Sequence, residues 1–252
     1  MSFVEPLITK LESIGSLNDS DRALLEGLPI VSRGLDPQEH LLHQGDRPRS
    51  SVVVLSGTLA RFQELPDGDR QVVSFHFKGE MPDLHSLFIG QMDHSLVAIT
   101  ECLVGMVPHD ELRRIVRVSP TLTALLWRET LIDAAIFRQW ITNNGRRGAL
   151  AGTAHLLCEL MLRAKSIGAL TPDGAWPMPF TQQQLGDALG LSLVHINRTL
   201  KALREANIAA IERGLLRVLN WDELQQIAGF DPTYLHLRDS SVSGKMRVEF
   251  TR

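Results

Sequence analysis

Cysteine is almost missing from this 252-residue chain: it has two, Cys102 and Cys158, far apart and each among apolar neighbours. That excludes a disulfide framework and any paired-cysteine metal spacing, and leaves buried free thiols as the plain reading. No apolar run approaches the roughly 20 residues that span a bilayer. The start, Met1-Ser-Phe-Val-Glu-Pro, has no charged segment leading into an apolar one, so neither a membrane partner nor export is expected and the chain should be cytoplasmic. Also lacking are a nucleophile motif, a phosphate-cradling glycine loop, a pair of catalytic carboxylates and a tight His-x-His spacing. No catalytic residue and no metal ligand is therefore assigned.

A basic surplus is lacking as well, since the net charge is −3. The balance is uneven along the chain. Residues 1–145 carry 13 Lys and Arg against 19 Asp and Glu, residues 146–220 carry 9 against 5, and residues 221–252 carry 4 against 5. Only the middle segment is basic, which suits a local phosphate contact inside an acidic protein.

What is present in that basic segment is specific. Thr181 is a good helix N-cap with Gln184 three residues on, and Leu185, Ala188 and Leu189 give the helix an inward face. Gly190 ends it, and Ser192 caps a second helix whose Ile196, Leu200 and Leu203 recur at helical spacing. Two short helices bent around a glycine form a helix-turn-helix, the shape that lays a helix in the major groove of DNA. The second helix turns Leu193, Val194, Asn197, Arg198, Lys201 and Arg204 outward, side chains suited to base edges and phosphates. Behind it, Ile208–Glu212 and Leu215–Leu219 flank Arg213-Gly214. This predicts a β-hairpin and makes the unit a winged helix.

Upstream, from about Leu35 to Val107, short β-type runs such as 51–55, 71–75 and 96–100 alternate with Gly45, Gly57, Gly68, Gly79 and Gly90, spaced 11 or 12 apart. Regular turns between short strands predict a small antiparallel roll. Ser119-Pro120 then opens a helix that can run to Asn143-Asn144-Gly145, with an apolar stripe of Leu122, Leu125, Leu126, Ile132, Ile136 and Trp140, widened by Trp127, Leu131 and Phe137. Pairing with the same helix of a second subunit is the simplest way to bury so much surface. Gly145–Gly148 is the expected hinge, followed by a helix from about Ala149 to Ile167 and, after the wing, a short helix over 221–228.

The expected fold class is thus α+β: an N-terminal antiparallel β-roll or jelly roll over 1–118, a long dimerisation helix and hinge over 119–145, a winged helix-turn-helix over 146–230, and a tail over 231–252. That order, with Gly45-Asp46 and Gly79-Glu80 in the roll, resembles the Crp/Fnr superfamily of bacterial transcription regulators. The resemblance implies a homodimer on a two-fold symmetric DNA site that contacts RNA polymerase, more commonly as an activator. It places Thr181, Gln182, Ser192, Leu193, Val194, Asn197, Arg198 and Lys201 at the DNA, with Arg198 suited to guanine and Asn197 to adenine or a phosphate.

It also puts a small-molecule effector in the roll, around Glu80, His85, His94 and Ser95. Cyclic-nucleotide-binding members follow Gly-Glu with an Arg-Ser or Arg-Thr pair, whereas this chain has His94-Ser95; a neutral imidazole replaces the guanidinium fork, which speaks against cyclic AMP. An iron–sulfur cluster is excluded because no cysteine precedes Cys102. His85 falls near the axial-ligand position of haem-containing members, which leaves haem as an option, and the effector stays unidentified. Two further readings stand beside this one: a metal-dependent enzyme of the cupin kind, and a winged helix used as a protein-interaction module.

Overall fold

The computed structural model describes residues 3–66, 68 and 70–237. The chain divides into two compact units that meet in sequence at Ala134–Ala135.

The first unit begins with two helices that the sequence reading did not include, α1 (Glu5–Ile14) and α2 (Asp19–Glu26). Leu7, Ile8, Leu11 and Ile14 of α1 recur at helical spacing and are all buried, and Asn18 caps α2 by accepting from the Asp21 N–H. The roll follows as β1 (Val31–Leu35), β2 (His40–Leu42), β3 (Ser50–Ser56), β4 (Leu59–Glu64), β5 (Arg70–His76), β6 (Ser95–Ala98) and β7 (Cys102–Pro108). Two antiparallel sheets, ordered β1-β7-β3 and β2-β6-β4-β5, make it up. Its interior is filled by Val52, Val54, Leu59, Leu96, Ala98 and Val104, with Phe62 and Phe75 fully buried. Of the five turn glycines, Gly45, Gly57, Gly68 and Gly79 have positive φ and Gly90 does not. The strands start at Val31, earlier than expected, because polar Ser32 and Arg33 pair with β7 on an exposed edge where the alternation of apolar residues is lost.

A third unforeseen helix, α3 (His109–Val118), packs Leu112 and Ile115 inward. It leads into α4 (Pro120–Arg146), 27 residues long, whose first turn is capped as expected: Leu122 N–H donates to Ser119 Oγ at 3.0 Å, and Ser119 in turn donates to Asp21. The expected apolar stripe splits. Leu122, Leu125, Leu126, Ile132, Ile136 and Trp140 are buried within the chain, whereas Trp127 and Leu131 are 66% and 54% exposed and Phe137 is half-buried; Ile141, outside the expected stripe, is 71% exposed. The helix also runs through Gly145, so the hinge shrinks from four residues to Arg147-Gly148.

In the second unit α5 (Ala149–Ser166) is buried from Gly152 to Ala164. Around it lie β8 (Trp176–Pro177), α6 (Gln182–Leu189), α7 (Leu193–Glu205), β9 (Ala209–Glu212), β10 (Leu215–Val218) and α8 (Trp221–Ala228). The wing gains a third strand, because β8 pairs with β10. Residues 238–252, most of the expected tail, lie outside the described residues. The stretch assigned to the tail before them is instead packed: Asp231 caps a 3-10 turn over Pro232–Leu235, Leu235 is buried, and Tyr234 stacks on His155. An aromatic and a leucine in a polar stretch were the signal for this.

Buried charge binds the helices of this unit. Glu159 of α5 is fully buried and accepts from Trp140 Nε1 at 3.1 Å, Arg163 Nη1 at 3.2 Å and Tyr234 Oη at 2.8 Å. Burial holds its carboxyl above the usual carboxylate range against the pull of Arg163. Three side chains far apart in sequence, Trp140, Arg163 and Tyr234, thus converge on one carboxylate.

Candidate nucleic-acid interface

Local sequence dictates the helix-turn-helix closely. The Thr181 side chain accepts from Gln184 N–H at 3.2 Å while Gln184 Oε1 accepts from Thr181 N–H at 2.8 Å, a complete capping box. Gly190 ends α6 at φ +63°, in the left-handed region that excludes most side chains. Gly186 has a separate role that sequence reasoning missed: a Cβ there would meet the Leu191 carbonyl oxygen at 2.6 Å, so only glycine lets the turn close against α6. Ser192 caps α7 by accepting from His195 N–H.

Ile196, Thr199 and Leu203 turn inward, and Leu200 is half-buried. The opposite face of α7 carries Leu193, Val194, Asn197, Arg198, Lys201 and Arg204. Thr181, Gln182, Ser192, Leu193, Val194, Asn197, Arg198 and Lys201 are all exposed. They differ in how free they are. Thr181 and Ser192 spend their hydroxyls on caps. Asn197 donates from Nδ2 to the Leu193 carbonyl at 2.9 Å, leaving its oxygen and one N–H. Lys201 lies 3.6 Å from Glu205, both well exposed. No hydrogen bond or ion pair ties down Arg198 among the described residues.

The wing adds a residue that sequence reasoning placed only as turn material. Arg213 and Gly214 have φ of +50° and +76° and join Glu212 to Leu215 in a two-residue loop, the primed turn whose twist matches a hairpin. Arg213 is exposed at the tip. Its neighbour Arg217 is engaged, pairing with Asp173 at 2.7 Å.

In the roll, the four expected effector residues do not form one constellation. Glu80 is buried and occupied: His76 Nδ1 lies 3.4 Å and Lys10 Nζ 3.5 Å away, and Phe77 N–H donates at 3.2 Å. Lys10 also reaches Glu129 at 3.6 Å, so α1 and α4 are both tied to this point. Ser95 Oγ accepts from Gln44 N–H at 3.0 Å. Only His85 and His94 come together, with ring centroids 5.1 Å apart. Burial, reinforced by the charge of Arg61, lowers the proton affinity of both, that of His94 to about 4. Arg61 itself is buried between Asp133, at 2.9 Å, and the Pro82 carbonyl.

Residues 32–119 match the model of the cyclic nucleotide-binding domain, and residues 153–227 match that of the Crp-like helix-turn-helix domain. A roll of the cyclic nucleotide-binding type followed by a Crp-like helix-turn-helix defines a class, the DNA-binding regulators of transcription. The chain belongs to the Crp/Fnr family within it.

Among its relatives, the fumarate and nitrate reduction regulatory protein of Vibrio cholerae is 22% identical over 214 residues, covering 85% of each chain. A probable transcriptional activator of Rhizobium leguminosarum bv. viciae is 26% identical, covering 78% of this chain and 81% of that one. The structure of FixK2 from Bradyrhizobium japonicum superposes with a TM-score of 0.71 at 22% identity, covering 79% of this chain and 98% of the other. These relatives are regulators, and none of them supports the reading of the roll as a cupin-like enzyme. No helix among the described residues is long and apolar enough to cross a membrane.

Proposed function

We propose that this regulator binds a palindromic DNA site as a homodimer, with α7 in the major groove of each half-site. The observation that carries the reading is the outward face of α7, where Arg198, with no partner among the described residues, stands beside Asn197 and Lys201 on a helix fixed by two caps and a left-handed glycine. Arg198 has the bidentate geometry for guanine, Asn197 needs only to release the Leu193 carbonyl to meet adenine, and Lys201 and Arg213 suit phosphates. The second copy covers the apolar side chains that α4 leaves exposed, Trp127, Leu131 and Ile141, together with Phe88 and Ile89, which are exposed beside the cavity of about 430 Å³ that Trp127 also lines. Contact with RNA polymerase and activation are carried from the family and from the Rhizobium relative's name, and a bacterial regulator of this kind works in the cytoplasm.

An effector in the roll would act on the dimer through α4. Cyclic AMP does not suit it: His94-Ser95 offers no guanidinium fork for the phosphate, and Glu80 is engaged by His76 and Lys10. Selection of sites from random duplex DNA at two salt concentrations, with an Asn197→Ala, Arg198→Ala control, tests the reading. A two-fold symmetric motif with half-sites about one helical turn apart, lost in the control, is the expected result. Binding that ignores salt and sequence would instead make the winged helix a protein-interaction module.

A further inference from the structure

His94 is 5% exposed, yet its Nε2 is buried with no partner among the described residues, and the same is true of Nε2 in His85, on the 3-10 turn Leu84–Leu87. Buried ring nitrogens without a partner are costly, and a site that holds two such rings with centroids 5.1 Å apart calls for a reason. The reason lies in what surrounds them. Asp93 places Oδ1 2.6 Å from His94 Nδ1, and one donor atom each from His85, Asp93 and His94 lie within 4.8 Å of one another.

We propose that His85, Asp93 and His94 form a binding site for a divalent first-row transition metal ion of the zinc type. Two imidazoles and one carboxylate are the borderline donor set that such ions select over magnesium or calcium, which favour all-oxygen shells. In a tetrahedral shell with bonds of roughly 2.05 Å, donors sit roughly 3.3 Å apart. Closing the observed spread to that figure takes side-chain rotation: Asp93, 76% exposed in its side chain, turns away from its 2.6 Å contact with His94 Nδ1, and the two rings already meet at an angle of 51°. His85 also lines the 430 Å³ cavity and Asp93 is exposed, so water or an anionic ligand can reach the ion from the solvent side and complete its shell.

The sequence hides this site because the ligands fit no short spacing: His85 lies eight residues before Asp93, and the 3-10 turn folds it back onto the start of β6. The site differs from haem ligation, which would use one histidine on an iron face and has no need of Asp93. Metal binding here is independent of whether the ion alters DNA affinity, so a regulator that reads DNA in one state only is compatible with it.

The test uses the full-length protein stripped with chelator and then titrated with Co²⁺, followed by displacement with Zn²⁺. One Co²⁺ per chain, with visible d–d bands of a low-symmetry four- or five-coordinate site that disappear on adding Zn²⁺, is expected. Asp93→Asn, an exposed change that preserves the fold, and His85→Gln should each weaken binding about tenfold or more. His40→Gln, in the stacked His40–His43 pair with centroids 4.6 Å apart, should leave it unchanged. Absence of stoichiometric binding, or binding that survives in Asp93→Asn and His85→Gln, or is lost in His40→Gln alone, overturns the site.

Discussion

α5 and α7 each carry a row of polar side chains at helical spacing, His155-Glu159-Arg163 on one and Asn197-Lys201 with Arg198 on the other, and the two rows have opposite fates. On α5 the row points inward and is answered from within the chain: Glu159 by Trp140, Arg163 and Tyr234, and His155 by Asn143, with Tyr234 stacked on its ring and Phe230 edge-on to it. On α7 the row points out, and its strongest donor, Arg198, has no partner among the described residues. Sequence spacing is the same in both. A polar row therefore becomes a site only where the fold leaves its valence unspent, and a row that is spent internally holds the fold instead.

The sharpest way to break that contrast is Glu159→Ala. It strands Arg163 with two other donors in a dry interior, so the second unit should lose about 3–5 kcal/mol in denaturant unfolding. A loss under about 1 kcal/mol would mean that water reaches the cluster and that the α5 row is not spent as described. His155 tests the same row by pH. Unfolded, its imidazole protonates near 6.5; folded, burial and then Arg147 hold it down to about 4. Between those values the unfolded chain binds the extra proton, so the stabilisation is complete above about 6.5 and falls away as the pH drops toward 4. A gap of about 2.5 pH units corresponds to about 3 kcal/mol. Glu159, held above its ordinary value, pulls the other way over part of that range. The measurement is therefore the difference between parent and His155→Gln unfolding free energies from pH 7 to 4, which should narrow steadily with acid.

On α7 the effects move from stability to binding. Arg198→Ala should cost about 1–3 kcal/mol of DNA affinity and relax preference at one base pair per half-site, with unfolding unchanged. Equal loss on every sequence would make Arg198 a phosphate contact.

The reading head was nearly all legible because its rules are local: the capping box, the glycine terminus and the two-residue wing turn each depend on fewer than five neighbouring residues. Gly186 escaped because its reason is a carbonyl five residues on that only the closed turn brings near. The roll was legible as a rhythm of strands and turns, but α1, α2 and α3 were not, although the Leu7-Leu11-Ile14 spacing was there to find. Its chemistry was hardly legible at all. Glu80 looks like a ligand residue by type and neighbours, but its partner Lys10 comes from 70 positions before it and is shared with Glu129, 49 positions after it. The pairing of His85 with His94 likewise depends on where one 3-10 turn folds.

Lys201 sharpens the comparison from its weakest side, because its row on α7 is not wholly unspent: Glu205 sits one turn on at 3.6 Å. An exposed pair of this kind contributes about 0.3–0.5 kcal/mol, too little to hold the lysine against a phosphate. Lys201→Ala should therefore leave unfolding within about 0.5 kcal/mol of the parent, weaken DNA binding equally on all sequences and flatten the salt dependence by about 1 per half-site. Glu205→Gln removes the competitor and should do the reverse, with slightly tighter binding and a salt slope as steep as the parent's or steeper. If Glu205→Gln weakened binding, the pair would be positioning Lys201 rather than competing for it, and the line between spent and unspent polar residues would run through the middle of α7.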